Sequence, residues 1–294
     1  MTDAVVGTGT TPVNDAERAR RTTAAVELID VSQTFRTKAG PHLAVRDINL
    51  TVNESEFVSV VGPSGCGKST LLYMVAGLRP PTHGEVHVLG RQVTAQSGPD
   101  RDVGFVFQKD AVLPWKTALQ NVALGLRYRG VAKRTAEAEA SEWLARVGLA
   151  GFGDRYPAQL SGGMRKRVAI AASLVLTPKV LLMDEPFSAL DAQTRMIMEN
   201  DLLGIWQETK QTVLFVTHDL EEAVGLSDRV ITMTAGPGTV LSDRASGLAR
   251  PRDLQEVRFE PAFTRLHELL WEDLREQVQI ASSRASAPGD GDGH

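Results

Sequence analysis

Gly62-Pro63-Ser64-Gly65-Cys66-Gly67-Lys68-Ser69 follows the apolar run Phe57 to Val61 and leads into a stretch of helical spacing, Ser69 to Gly77. A glycine-rich turn between a strand and a helix, closed by Lys-Ser, is a phosphate loop. Its glycines let the backbone wrap phosphate oxygens closely, the helix behind presents unpaired N–H groups and a positive dipole end, and Lys68 adds a point charge. Ser69 is placed to set its hydroxyl on Mg²⁺, and Thr70 continues the same turn. The loop predicts binding of a nucleoside triphosphate and nothing narrower, because the same element serves many chemistries.

Outward from the loop, further short apolar runs recur at Val103 to Phe107, Val180 to Met183 and Val213 to Thr217. Val-rich runs of this length read as strands of a mostly parallel, buried sheet. Helical spacing separates them, as at Thr135 to Val147 and Arg165 to Leu176, so the fold class is α/β. The stretch from about 110 to 156 has no strand-like run and carries Leu119, Val122, Leu126, Trp143 and Leu144 at roughly helical spacing. It reads as a helical insertion. A segment rich in Gly, Pro and Arg, 236 to 252, precedes an amphipathic stretch, Pro261 to Gln279, expected as a peripheral helix. Residues 1–24 and 282–294 are polar and aperiodic and read as tails.

Composition narrows the class. The chain has 294 residues, 42% hydrophobic and 23% charged, with net charge −4. That is an ordinary globular balance, and its mild acidity disfavours nucleic acid as a partner. The single cysteine, Cys66, fits a reducing compartment. Its place inside the phosphate loop predicts that a maleimide adduct there would block the phosphate site and that nucleotide would protect. Met1 to Arg21 lacks the basic-then-apolar order of a secretory leader. No stretch reaches the roughly 18 apolar residues of a spanning helix, so membrane contact is expected only through a partner.

Two more elements specify the chemistry. Val180-Leu181-Leu182-Met183-Asp184-Glu185 is an apolar strand ending in two carboxylates. The first suits Mg²⁺ through water, and the second, beside a γ-phosphate, suits polarising the attacking water. Leu160-Ser161-Gly162-Gly163-Met164 opens an amphipathic helix, and a Ser-Gly-Gly start is costly unless its bare backbone meets an anion.

Here the chain resembles the ATP-binding cassette (ABC) family, whose signature reads Leu-Ser-Gly-Gly-Gln; Met164 stands where that signature has Gln. The resemblance covers about residues 25 to 280, with motifs in family order. It implies that Gln108 is the Q-loop glutamine, reaching Mg²⁺ and the attacking water. It also makes Ser188-Ala189-Leu190-Asp191 the D-loop, His218 the switch histidine and Phe35 the aromatic against adenine. The implied fold is a P-loop (RecA-like) ATPase core at 25–252, with an N-terminal antiparallel β region and a helical subdomain near 108–165. A C-terminal helical extension at 253–281 would follow.

The resemblance further implies a homodimer that sandwiches two ATP molecules. Lys68, Ser69, Asp184 and Glu185 of one copy would face Ser161, Gly162 and Gly163 of the other. Leu113-Pro114-Trp115 and Glu221-Glu222-Ala223-Val224 look like the nitrate/sulfonate/taurine branch of bacterial importers. Transmembrane permease subunits, a solute-binding protein and a place on the cytoplasmic face of the inner membrane are then expected. Rival ABC-type ATPases of chromosome maintenance carry a long coiled coil between loop and signature, whereas only 93 residues separate Lys68 from Ser161. A non-catalytic nucleotide-binding switch is the remaining alternative, and Glu185 argues against it.

Overall fold

The computed structural model describes residues 24–285 apart from positions 39 and 110. The tails expected before residue 24 and beyond 285 lie outside the described residues. β1 (Ala24–Thr37) and β2 (Gly40–Asn53) pair antiparallel and turn Val26, Leu28, Val31, Ile48, Leu50 and Val52 inward. This is the period-two pattern of a half-buried sheet. β3 (Phe57–Val61) differs, because all five residues are buried. Phe57 and Val61 join one apolar cluster, and Val58 and Val60 another. A strand buried on both faces belongs inside a sheet covered on both sides.

β3 leads through the glycine-rich turn into α1 (Lys68–Val75). β4 (His83–Val88) and β5 (Arg91–Gln92) then complete a four-stranded antiparallel sheet of order β2-β1-β4-β5. This is the antiparallel region the family resemblance implies. After β6 (Val103–Val106) the chain becomes helical: α2 (Ala118–Tyr128), α3 (Lys133–Arg146), a short 3-10 turn at Pro157–Gln159 and α4 (Gly162–Leu174). Among the described residues no strand intervenes before β7 (Val180–Asp184). Val122, Ala123 and Leu126 of α2 share an apolar cluster with Ala136, Ala140, Trp143 and Leu144 of α3.

The remaining elements are α5 (Ala192–Thr209), β8 (Thr212–Val216), α6 (Leu220–Leu226), β9 (Arg229–Met233), β10 (Val240–Ala245), α7 (Leu254–Val257) and α8 (Pro261–Ala285). The second sheet has the order β10-β9-β3-β8-β7-β6, parallel throughout except for β10 at its edge. β7 and β8 repeat the two-sided burial of β3: Leu181, Met183, Val213 and Phe215 face one cluster, Val180, Leu182, Leu214 and Val216 the other. Because β3, β8, β7 and β6 run in the same direction as neighbours, the residues after Val61, Val216, Asp184 and Val106 emerge at one edge. The carboxyl ends of parallel strands are where such sheets bind ligands.

α4 opens at the Ser-Gly-Gly start, with Ser161 as its cap and Gly162 and Gly163 in its first turn. α8 packs one side against the core. Phe263, Leu266, Leu270 and Leu274, spaced three and four apart, are buried in the larger apolar cluster, and Asp273 pairs with Arg244 at 2.9 Å. The helix also runs to Ala285, into the stretch expected as tail.

Candidate nucleotide and catalytic site

The glycine-rich turn is built from its backbone. Gly65 (φ +77°) and Gly67 (φ +99°) hold the left-handed conformations that side chains resist. Gly67 is the N-cap of α1 with no side chain bonded to the helix's first N–H groups, whereas Ser161, Asp191 and Asp219 cap α4, α5 and α6 with their own oxygens. An uncapped helix start with no acidic residue in its first turn is left open to an anion. Lys68 is buried, and its ammonium donates to the carbonyls of Gly62 (2.7 Å) and Pro63 (3.0 Å). Its charge is thereby held at the mouth of the loop. Ser64 is exposed and Thr70 half-buried in the first turn of the helix.

The carboxylates gather at the neighbouring strand ends. The Ser69 hydroxyl donates to Asp184 Oδ1 at 2.9 Å. Burial pushes the Asp184 carboxyl above its ordinary value, and the bond from Ser69 opposes that shift. Glu185 stands one residue beyond the end of β7 at φ +43°, and its N–H donates to Val216 O at 2.9 Å. A non-glycine residue held in this region costs of order 1–3 kcal/mol and persists only where its surroundings dictate it. Here the twist aims the side chain across the sheet edge. Glu185 Oε2 accepts from Gln108 Nε2 at 3.1 Å and lies 3.2 Å from His218 Nδ1. Three of the residues singled out as catalytic therefore meet at one oxygen.

Other predicted residues lie apart from that cluster. Ser161 and Gly162 are exposed, with the Ser161 hydroxyl accepting from Met164 N. A Cβ on Gly163 would lie 2.8 Å from Thr194, so this glycine also permits the close approach of α5. The Asp191 carboxylate accepts from Thr194 N at 3.0 Å, which holds it below the usual carboxylate range; its side chain serves as a helix cap. Phe35 sits on β1 with the Arg79 guanidinium 4.7 Å from its ring centroid. The Cys66 thiol is buried in an apolar cluster, and burial pushes its pKa up.

Several supporting residues had no local signal. Gly238 backs the loop: its N–H donates to Ala44 O, its carbonyl accepts from Arg46 N, and a Cβ there would stand 2.0 Å from Cys66 O. Arg195 joins the D-loop to the switch segment, donating to Leu190 O and to Asp219 Oδ2, each at 3.1 Å. Clefts of about 510 and 700 Å³ both touch His218 and are walled by Trp271 of α8.

Behind His218, Thr217 donates to the buried Glu222 at 2.5 Å. Burial, with Glu199 and Asp219 nearby and Arg195 opposing, pushes the Glu222 carboxyl up to about 8; burial with Asp219 raises Glu199 to about 7. The folded protein thus keeps a proton on Glu222 that an unfolded chain releases above its ordinary value of 4.5, so stability falls as pH rises from there toward 8. Glu222→Gln keeps the volume and cannot ionise. Its melting temperature should fall less than the wild type's over that window in thermal unfolding scans; an equal or steeper fall would contradict the assignment.

The chain is also similar to known proteins. The family described as ABC transporter matches residues 45–188. An uncharacterized ABC transporter ATP-binding protein of Methanocaldococcus jannaschii is 46% identical over 246 residues, 84% of this chain and 91% of that protein. The bicarbonate transport ATP-binding protein CmpD of Synechocystis is 45% identical over 84% of this chain and 88% of its own length. The nitrate import ATP-binding protein NrtD of the same organism is 47% identical over 73% and 80%. Among solved structures, the ATP-binding cassette MJ0796, dimeric and bound to ADP and phosphate, superposes with a TM-score of 0.68 at 35% identity, covering 75% of this chain and 98% of that one. The chain belongs to the ABC transporter family as an ATP-binding subunit, an ATPase.

Proposed function

We propose that this chain powers the import of a small anion, of the nitrate, bicarbonate or sulfonate kind, with two copies closing around two ATP molecules. The observation that carries the catalytic part is the meeting of Gln108 and His218 at Glu185 Oε2, beside the Ser69–Asp184 pair. The phosphate loop and Lys68 hold the β- and γ-phosphates. Glu185 takes the proton of the attacking water, while Gln108 and His218 fix the direction of its carboxylate. Ser161, Gly162 and Gly163 of the second copy close the site over the γ-phosphate, so catalysis rests on positioning and charge neutralisation.

Mg²⁺ is held in such sites by one or two protein oxygens together with phosphates and water. Ser69 and Asp184 fit that donor set, and among the described residues no group of three His, Cys, Asp or Glu forms a separate cage. When bound, the ion neutralises charge on the phosphates.

The transport part rests on the relatives' names and on one surface. No helix among the described residues is long and apolar enough to cross a membrane. Trp115 is 69% exposed on the loop that follows Gln108. That loop is held firmly: buried Asn121 accepts from Leu113 N at 2.7 Å and donates to the carbonyls of Leu113, Lys116 and Thr117. A large aromatic held out on a pinned loop, with Phe107 also exposed nearby in sequence, suits docking of an apolar partner segment. The partner is a transmembrane permease on the cytoplasmic side of the membrane, served by a solute-binding protein. Trp115→Ala should leave the ATPase rate of the isolated subunit unchanged and weaken co-purification with the permease by at least 10-fold, since a buried Trp anchor contributes about 2 kcal/mol or more. Undiminished co-purification would remove this surface from the account.

A further inference from the structure

Lys166 lies in the second turn of α4 and is 2% exposed. Its ammonium donates to Phe107 O at 3.1 Å and to Gln108 O at 2.9 Å. Ordering a long side chain and removing an ammonium from water both oppose burial, so a buried lysine persists where its donors are used. Here they grip the backbone of the residue whose amide reaches Glu185. Further along the same helix, Ser173 donates to Phe105 O at 3.0 Å, so α4 is fastened along β6 and its exit. On another face Arg167 donates to Val147 O and to Asp201, both at 2.7 Å. The N-terminal end of α4 is the exposed Ser161-Gly162 start.

We infer that Lys166 is a positioning residue that couples the two nucleotide sites of the dimer, a step that rests on the two-copy reading above. In that arrangement the start of α4 meets the nucleotide held by the other copy, whereas Gln108 serves the nucleotide of its own copy. Lys166 is one turn from the first and bonded to the backbone of the second. When α4 is drawn toward the neighbouring nucleotide, its charge-assisted bonds carry the Q-loop with it and reset Gln108 against Glu185. Occupation of one site thereby prepares the other.

The readout is the Hill coefficient of steady-state ATP hydrolysis by the purified full chain, bounded by about 2 for two sites and about 1 without coupling. Lys166→Met keeps the length and apolar stem without a donor; Lys166→Gln retains a shorter donor. The expected order is wild type highest, Gln intermediate and Met at about 1. A merely structural role would lower rate and melting temperature without this ordering. Should the Met variant fail to fold, the fall from wild type to Gln carries the test. A Met variant as cooperative as wild type overturns the proposal, and so do Gln and Met variants that lose cooperativity equally. The Glu185→Gln chain separates this from the underlying reading. If it dimerises with ATP while wild type shows no cooperativity, the coupling role alone fails; if it does not dimerise, the two-copy reading fails and the coupling with it.

Discussion

Glu185→Gln should bind ATP with near wild-type affinity and hydrolyse it about 10²- to 10⁴-fold more slowly, the range for loss of a general base. The amide oxygen still accepts from Gln108 and stays within reach of His218 Nδ1, and glutamine fills the same volume at φ +43°. What disappears is the ability to take a proton from water. Because closure would persist while hydrolysis stops, the variant should accumulate as an ATP-dependent dimer on gel filtration. Release of phosphate at the wild-type rate would show that another group is the base.

The second large effect is expected at Gly67→Ala. At φ +99° an L-residue is strained by roughly 1–2 kcal/mol, and the new methyl would lie 2.3 Å from Val45 Cγ1 and 3.2 Å from Ala44 O. The loop must move away from β2, taking with it the first N–H groups of α1 and the Lys68 ammonium. ATP affinity measured by calorimetry should fall by about 10- to 100-fold, about 1.4 kcal/mol for each factor of ten. Adding Val45→Ala should restore part of that loss, since it removes the methyl collision and leaves the backbone strain. Unchanged affinity in the single variant would mean that the loop does not bind phosphate in this geometry.

The parts of this site that were legible in the sequence are those where backbone chemistry restricts residue type. Only glycine suits the turns at Gly65 and Gly67, and strands buried on both faces must be continuous apolar runs, so β3, β7 and β8 announced themselves and placed Asp184, Glu185 and His218 at one edge. The long-range supports were silent. Nothing local to Gly238 tells that it lies against Cys66 O, and nothing in Lys166 or Asn121 tells that their donors reach the Q-loop and the Trp115 loop. α8 shows how periodicity stops short: the spacing of Phe263, Leu266, Leu270 and Leu274 predicts a helix with one apolar side, but not that the main core covers it. The burial of the Cys66 thiol is equally silent, since its place in the loop says nothing about which way its side chain turns. Asp191, by contrast, lies three residues before Thr194, the spacing of an N-cap.

If each nucleotide site is shared between two copies, two variants that are each inactive should complement one another. Lys68→Ala removes the ammonium from the phosphate loop. Gly162→Asp places a carboxylate at the start of α4, where a Cβ meets nothing nearer than Arg165 Nη2 at 3.8 Å, so the chain's own fold accommodates it. Each variant alone should be inactive. In a mixed dimer one site carries both lesions and the other carries neither, so ATP hydrolysis by the mixture should rise well above that of either variant. A mixture as inactive as its components would place loop and signature in the same copy's site and contradict the account.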